Sequence, residues 1–357
     1  MRGGYIEIMK KIELDSFMDF RMLSALTFSP DGEKLAYVLT GIDREKKEYI
    51  SRLYLHSGGV DRLMVSDGRI GEFFFEDAEH LLFVTDRRDE KKDEKKEEKG
   101  AEDDDASTVL YRLPLTGGEA RLAYELPLHA GSFKLLPDGN VLMTGEIRTD
   151  YPDLHTLTGD KRKRVLEKLE EEKDYEVLTE SPFVYNGRGL IQGKRSALFL
   201  YQVRENRLRR LTGKNTDVGS YRVHGKDVYF SGVSYGSRRP NRDCLYRLDL
   251  ETGKTERVLG PRLIIHAIEF IGETLVVIGA DGKRFGDNEN PCFYTFDPGS
   301  RELKVLCDAD ESLGGAMLTD VEYGEARFTK ADADHLYFPA LERDGCRLKR
   351  IGLDGRI

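Results

Sequence analysis

The sequence lacks several features that would place it in a class at once. No segment approaches the roughly 18 consecutive apolar residues that a membrane-spanning helix needs. The N-terminus has neither a continuous apolar segment nor a small-residue cleavage site, so a secretory leader is not expected. With a net charge of −9 over 357 residues, neither nucleic acid nor an anionic membrane is expected as the main partner. We therefore predict a cytoplasmic protein.

Patterns that bind metals or cofactors are also missing. The four cysteines form no CxxC pair, and the seven histidines form no HxH or HExxH motif. A glycine-rich phosphate loop is absent. The sequence therefore predicts no metal, no cofactor and, in a cytosolic chain, no disulfide. Cys244, Cys292 and Cys346 each precede a similar phrase, which favours a small buried residue at a recurring strand start.

What the chain does have is a repeated phrase, a few apolar residues followed by a polar turn. It begins at Leu53 (LYLHSGG), Leu110 (LYRLPLTGG), Leu198 (LFLYQVREN), Leu245 (LYRLDLETG), Phe293 (FYTFDPGSR) and Leu348 (LKRIGLDG). The starting points are 57, 88, 47, 48 and 55 residues apart. A strand-built repeat of about 45 to 50 residues is typical of a β-propeller.

Each repeat predicts four strands. The second is apolar enough to be buried on both faces, as in KLAYVLT (34–40), DVYFSGV (227–233) and TLVVIGA (274–280). We predict an all-β propeller over 22–357 with six recognisable four-stranded blades, a seventh being missing or never present. The expected blades are 22–67, 68–127, 128–214, 215–262, 263–310 and 311–357. The N-terminal segment, 1–21, is a candidate for a closing strand through IEIMKKIEL (6–14).

Two insertions interrupt the period. Residues 86–105 contain 18 charged residues in 20, and we expect 86–107 to be a mobile loop because such a stretch cannot bury apolar surface. The second insertion, 147–197, lies in blade 3. It contains a predicted helix near 160–173 with a short apolar stripe at Val165, Leu166 and Leu169. A surface helix packed on the ring is the simpler interpretation, and a gate or partner contact is the alternative.

One motif invites a catalytic interpretation. Residues 232–236, GVSYG, fit the G-x-S-x-G nucleophile elbow, with Ser234 as the nucleophile. The elbow requires a helix after the turn, whereas SRRPNRD and another strand phrase follow here. His266 and His335, the histidines later in the chain, lie in strand patterns. We therefore expect a blade loop and predict no catalytic residue.

Four phrases resemble the propeller of the prolyl oligopeptidase family of serine peptidases, especially its acylaminoacyl-peptidase-like branch. They are SPDGEKLAYV (29–38), LYRLPLTGGEARL (110–122), DYEVLTESPFVYNGRGL (174–190) and LTDVEYGEARFTKADADHLYF (318–338). The resemblance runs from about Leu14 to the end of the chain. It implies a propeller that caps an α/β-hydrolase domain and restricts entry to small peptides. In that family the Ser, Asp and His triad lies in the hydrolase domain that follows, and no residue here matches its motifs.

The expected function is therefore the gating, size-selecting part of a serine oligopeptidase. Its expected partners are a C-terminal α/β-hydrolase domain, absent from this chain, and short peptides. The chain alone is expected to be inactive. Two alternatives stay open: a stand-alone TolB-like propeller that binds a protein, and a propeller enzyme such as a lactonase with a metal at the ring centre.

Overall fold

The computed structural model describes residues 11, 13–66, 70–85, 107–172, 174–175, 177–186, 189–314, 329–343 and 345–357. These residues form an all-β protein with one α-helix. They fall into two compact units, and the chain passes from the first to the second within the eighth strand. Most of the predicted closing strand at 6–14, and all of the charged loop at 86–107 except residue 107, lie outside the described residues.

The first unit contains two antiparallel sheets, each a meander of four strands. The first sheet holds β1 (Met22–Phe28), β2 (Lys34–Asp43), β3 (Glu48–Ser57) and β4 (Val60–Val65). The second holds β5 (Ile70–Phe75), β6 (His80–Thr85), β7 (Thr108–Pro114) and β8 (Arg121–Leu126). Side chains from both sheets share one apolar core, including Leu55, Phe73 and Phe83.

The second unit begins with a sheet that carries the insertion. Its strands are β9 (Ala130–Leu135), β10 (Val141–Arg148), β13 (Lys194–Gln202) and β14 (Arg207–Arg210). Between β10 and β13 lie helix α1 (Gly159–Glu171) and a small hairpin, β11 (Val184–Tyr185) with β12 (Gly189–Leu190). The predicted surface helix is thus confirmed, and only Leu169 of its apolar stripe is buried.

A seven-stranded sheet follows, in strict chain order. It contains β15 (Thr216–His224), β16 (Asp227–Ser234), β17 (Asp243–Asp249), β18 (Thr255–Ile271), β19 (Thr274–Ala280), β20 (Cys292–Asp297) and β21 (Glu302–Cys307). The first half of β18 pairs with β17 and the second half with β19. One uninterrupted strand therefore crosses the predicted blade boundary at 262/263.

The last sheet has three described strands, β22 (Lys330–Ala331), β23 (His335–Glu342) and β24 (Gly345–Gly352). In the second unit, successive four-stranded segments pack face to face. Val228 and Phe230 of β16 enter one core while Tyr229 enters the next, and Leu275 and Val276 of β19 divide likewise. This two-sided burial confirms the prediction for second strands, and it is the packing of a β-propeller. The number of six blades stays a prediction.

The recurring cysteines behave in two ways. Cys244 and Cys292 are buried, each opposite a glycine of the neighbouring strand, Gly232 and Gly279. Cys346 is exposed, so the expectation of burial is wrong there. It pairs with Leu341 near the end of its hairpin, where no further described strand covers it.

No helix among the described residues is long and apolar enough to cross a membrane.

Candidate functional site

Ser234, the residue that fits a nucleophile elbow, ends strand β16 and is exposed. It pairs with Thr216 at the start of β15. After residues 235–242 the chain returns as β17, antiparallel to β16, and no helix lies between the two strands. This strand–loop–strand geometry lacks the helix behind the nucleophile that an elbow requires.

A cleft of about 520 Å³ opens beside this loop. Its walls come from one end of several strands of the second unit: the start of β9, the end of β10, and the starts of β13 and β15. The hairpin β11–β12 and the loop after β16 complete it. The lining residues are His129, Ala130, Thr144, Gly145, Glu146, Tyr185, Leu190, Ile191, Lys194, Arg195, Ser196, Asp217, Tyr235 and Arg239.

The insertion is fastened to the loop after β16 by backbone hydrogen bonds. The Ser181 N–H donates to the Ser237 carbonyl at 2.8 Å, and the Arg239 N–H donates to the Ser181 carbonyl at 2.9 Å. Gln192 holds the segment from the other side: its Oε1 accepts from the Thr179 N–H and its Nε2 donates to the Val177 carbonyl, each at 2.9 Å. The insertion therefore forms a fixed wall of the cleft.

Arg195 is the central charged group of this wall. Its side chain is fully enclosed and its guanidinium meets Glu180 at two points, Nη1–Oε2 at 3.0 Å and Nη2–Oε1 at 2.7 Å. The guanidinium also lies 3.7 Å from the centre of the Tyr235 ring, a cation–π arrangement. Burial raises the pKa of Glu180, but the hydrogen bonds from Arg195 and the Gly193 N–H lower it by more. The net effect is a pKa below the ordinary value.

A second arginine, Arg239, lies 6.0 Å from the centre of the Tyr235 ring. Its Nη2 is 3.5 Å from Oδ2 of Asp217, whose Oδ1 accepts the Ser196 N–H at 3.0 Å. Nearby, burial raises the pKa of Asp243, and its hydrogen bond from the Ile265 N–H and the charge of Arg239 offset this only in part. At the rim, Lys194 pairs with Glu146 at 3.4 Å.

The cleft offers groups that can bind a ligand. The described part of the chain contains no group of three His, Cys, Asp or Glu side chains that could hold a metal ion. The lining supplies guanidinium groups, the carboxylates of Glu146 and Asp217, an aromatic ring and an apolar edge at Tyr185 and Leu190. Such a surface suits an anionic group attached to an apolar one.

Sequence reasoning did not find these residues. Glu180 and Arg195 lie 15 positions apart with no regular spacing, and Arg239 belongs to another repeat. One clue was present: Arg195 lies two residues before the apolar run ALFLY (197–201). A charged residue beside a strand buried on both faces needs a partner, because an isolated buried charge is costly.

Comparisons with known proteins place this geometry in context. No protein-family model matches the chain. An uncharacterised peptidase of Bacillus subtilis, YuxL, is 24 % identical over 213 residues, covering 57 % of this chain and 28 % of the relative. The chain thus matches less than a third of that protein's length.

Two solved structures show the fold. The acylaminoacyl peptidase of Pyrococcus horikoshii superposes with a TM-score of 0.63 and 15 % identity, over 94 % of this chain and 45 % of that one. The β-propeller domain of the trilobed protease from Pyrococcus furiosus gives 0.52 and 14 %, over 93 % of this chain and 82 % of the domain. The chain therefore has a β-propeller fold and resembles the propeller parts of prolyl oligopeptidase-family peptidases.

Proposed function

We propose that this chain is the propeller part of an acylaminoacyl-peptidase-like serine oligopeptidase. It would select short peptides by size for an active site held on an α/β-hydrolase domain outside this chain. The observation that carries the proposal is the coverage of the similar acylaminoacyl peptidase: nearly all of this chain corresponds to 45 % of that one. We further propose that the protein acts in the cytoplasm.

The residues of this chain divide the work with such a domain. Peptide hydrolysis needs an activated serine, a histidine oriented by an acid, and an oxyanion hole. Ser234 lacks the helix-backed turn, and the charged side chains around the cleft are engaged in ion pairs. The propeller supplies walls. Its fixed insertion and the Arg195–Glu180 pair shape what can enter, and folded proteins are excluded by their size.

Activity measurements test this division. We expect the chain alone to show only background turnover of an acylated peptide p-nitroanilide and a p-nitrophenyl ester, with Ser234→Ala indistinguishable from wild type. Sequencing the gene past codon 357 should reveal a reading frame that continues into a strand–turn–helix G-x-S-x-G motif. The longer product should cleave short acylated peptides and spare long ones. Turnover by the chain alone that disappears in Ser234→Ala would overturn the proposal.

The alternative of a stand-alone binding propeller makes the opposite prediction for the gene. A stop directly after codon 357, together with a secretion leader upstream, would favour it. The loops that line the cleft would then present a binding surface to a protein partner.

A further inference from the structure

A guanidinium nitrogen of the cleft is left without an acceptor. Glu180 accepts from Arg195 and from Gly193, and Asp217 accepts from Ser196. Nη1 of Arg239, by contrast, is enclosed and has no hydrogen-bond partner. An enclosed guanidinium N–H without an acceptor is unfavourable, so the site favours an added acceptor, best a charged one.

The surroundings of Arg239 fit a carboxylate attached to an apolar side chain. Its ion pair with Asp217 is long, 3.5 Å, and 26 % of its side chain is exposed. The charge of Arg239 also acts on the buried Asp243. A small rotation of this side chain would present its N–H groups to the cleft. The Tyr235 ring and the apolar residues Tyr185 and Leu190 line the same cleft.

We propose that the cleft binds the C-terminal carboxylate of a short peptide through Arg239, with the apolar terminal side chain against Tyr185 and Leu190. Arg195 would act as a positioning residue. Its contacts with Glu180 and Tyr235 hold the ring and the insertion beside Arg239. The inference rests on the proposed function, because it names the end of the peptide that the propeller holds.

The adjacent arginine provides a matched control. Arg238 is exposed, lies in the same loop and is absent from the cleft lining. Its bridge to Ser181 is a backbone contact that a side-chain change leaves in place. Arg238→Gln and Arg239→Gln therefore remove the same charge one position apart, and Arg239→Lys keeps the charge while losing the planar fork.

The experiment is calorimetric titration of this chain with N-acetyl-Ala-Phe and with its C-terminal amide. We expect the acid to bind about tenfold more tightly than the amide, as charge-assisted hydrogen bonds imply. The preference should vanish in Arg239→Gln, weaken in Arg239→Lys and persist in Arg238→Gln. Circular dichroism and thermal melts confirm that each variant is folded.

Three results would overturn the inference: equal affinity for acid and amide, no saturable binding of the acid in the millimolar range, or a preference that survives Arg239→Gln. Because the titration needs no catalytic domain, these results leave the proposed function standing. Conversely, if the gene ends at codon 357 and the chain still binds the carboxylate, the proposed function is wrong and the proposed carboxylate site stands.

Discussion

The charged side chain of Arg195 is completely enclosed. Its partner Glu180 is therefore expected to contribute more to stability than an acid in a surface ion pair. Removing one member of a buried pair leaves the other charge uncompensated. We expect Glu180→Ala to lower the free energy of unfolding by about 3 kcal/mol, measured by urea denaturation. Glu167→Ala is the control, since its pair with Lys163 is exposed at 3.6 Å. That change should stay within about 0.5 kcal/mol, and equal losses in both variants would contradict the assignment.

The same pair predicts a dependence on pH. The pKa of Glu180 in the folded state lies below its ordinary value of 4.5. Its stabilisation is therefore fully present above pH 4.5 and is lost as the pH falls through the lower folded-state pKa. Wild-type stability should drop in this acidic window more than that of Glu180→Gln, so the two curves converge. Parallel curves would show that Glu180 does not titrate with folding.

At this scale the sequence predicted only part of the site. The interpretation of GVSYG as a blade loop rested on the missing helix, and residues 235–242 contain none before β17 pairs with β16. That Ser234 has no catalytic role stays a prediction. The cleft residues depend on which loops meet in space. Ser181 reaches Ser237 because an insertion of one repeat lies on a loop of the next. No periodic pattern in the chain encodes that contact.

The second strands β16 and β19 each contain a glycine whose structural role was not evident from the sequence. Gly232, the first glycine of GVSYG, faces the backbone of β15, where the register of the strand pair shifts after Val218. A Cβ at this position would overlap the Asp217 carbonyl oxygen. Gly279 of β19 repeats the arrangement, because a Cβ added there would lie 2.5 Å from the Ile264 carbonyl oxygen. The apparent elbow glycine thus permits a close approach of two strands.

Gly232→Ala should therefore be destabilising although alanine is small. We expect a loss of about 1–3 kcal/mol in the free energy of unfolding, because the neighbouring backbone must move. Gly236→Ala is the matched control, since nothing lies within 4 Å of its added Cβ. Urea denaturation of both variants measures the difference in the free energy of unfolding. An unchanged midpoint for Gly232→Ala would show that the backbone of β15 can move aside without loss of stability.

Most strands were predictable because two-sided burial leaves an unbroken apolar run. DVYFSGV (227–233) and TLVVIGA (274–280) were predicted within one residue of β16 and β19. Strand β18 was not: a blade boundary was expected at 262/263, yet the strand continues across it. Gly260 and Pro261 lie where the register against β17 shifts, and a strand tolerates Gly and Pro at such an irregularity.

For the molecule as a whole, the open alternative is a propeller enzyme with a central metal. The described residues hold no cluster of three metal-ligating side chains. We expect the purified protein to contain far less than one equivalent of any transition metal by mass spectrometry. Its melting temperature should be unchanged by a chelator, because no metal-binding free energy is lost. Stoichiometric metal, or a lower melting temperature with chelator, would favour the metalloenzyme.

Blade number is the part of the fold that the sequence left open. Repeat phrases count the sheets that share a pattern, whereas ring closure depends on which edges pair. The last sheet shows three described strands, and segments 1–10 and 315–328 lie outside the described residues. The periodicity of the sequence predicted the fold class, but it could not predict how the ring of blades closes.

The 17 residues of β18 have one further consequence. The strand β18 pairs with β17 through its first half and with β19 through its second half. Moving β17 away from β19 would therefore break backbone hydrogen bonds that β18 makes to one of them. The two four-stranded segments that share β18 are therefore held together by one continuous strand, whereas the other successive sheets of the described chain are joined by loops.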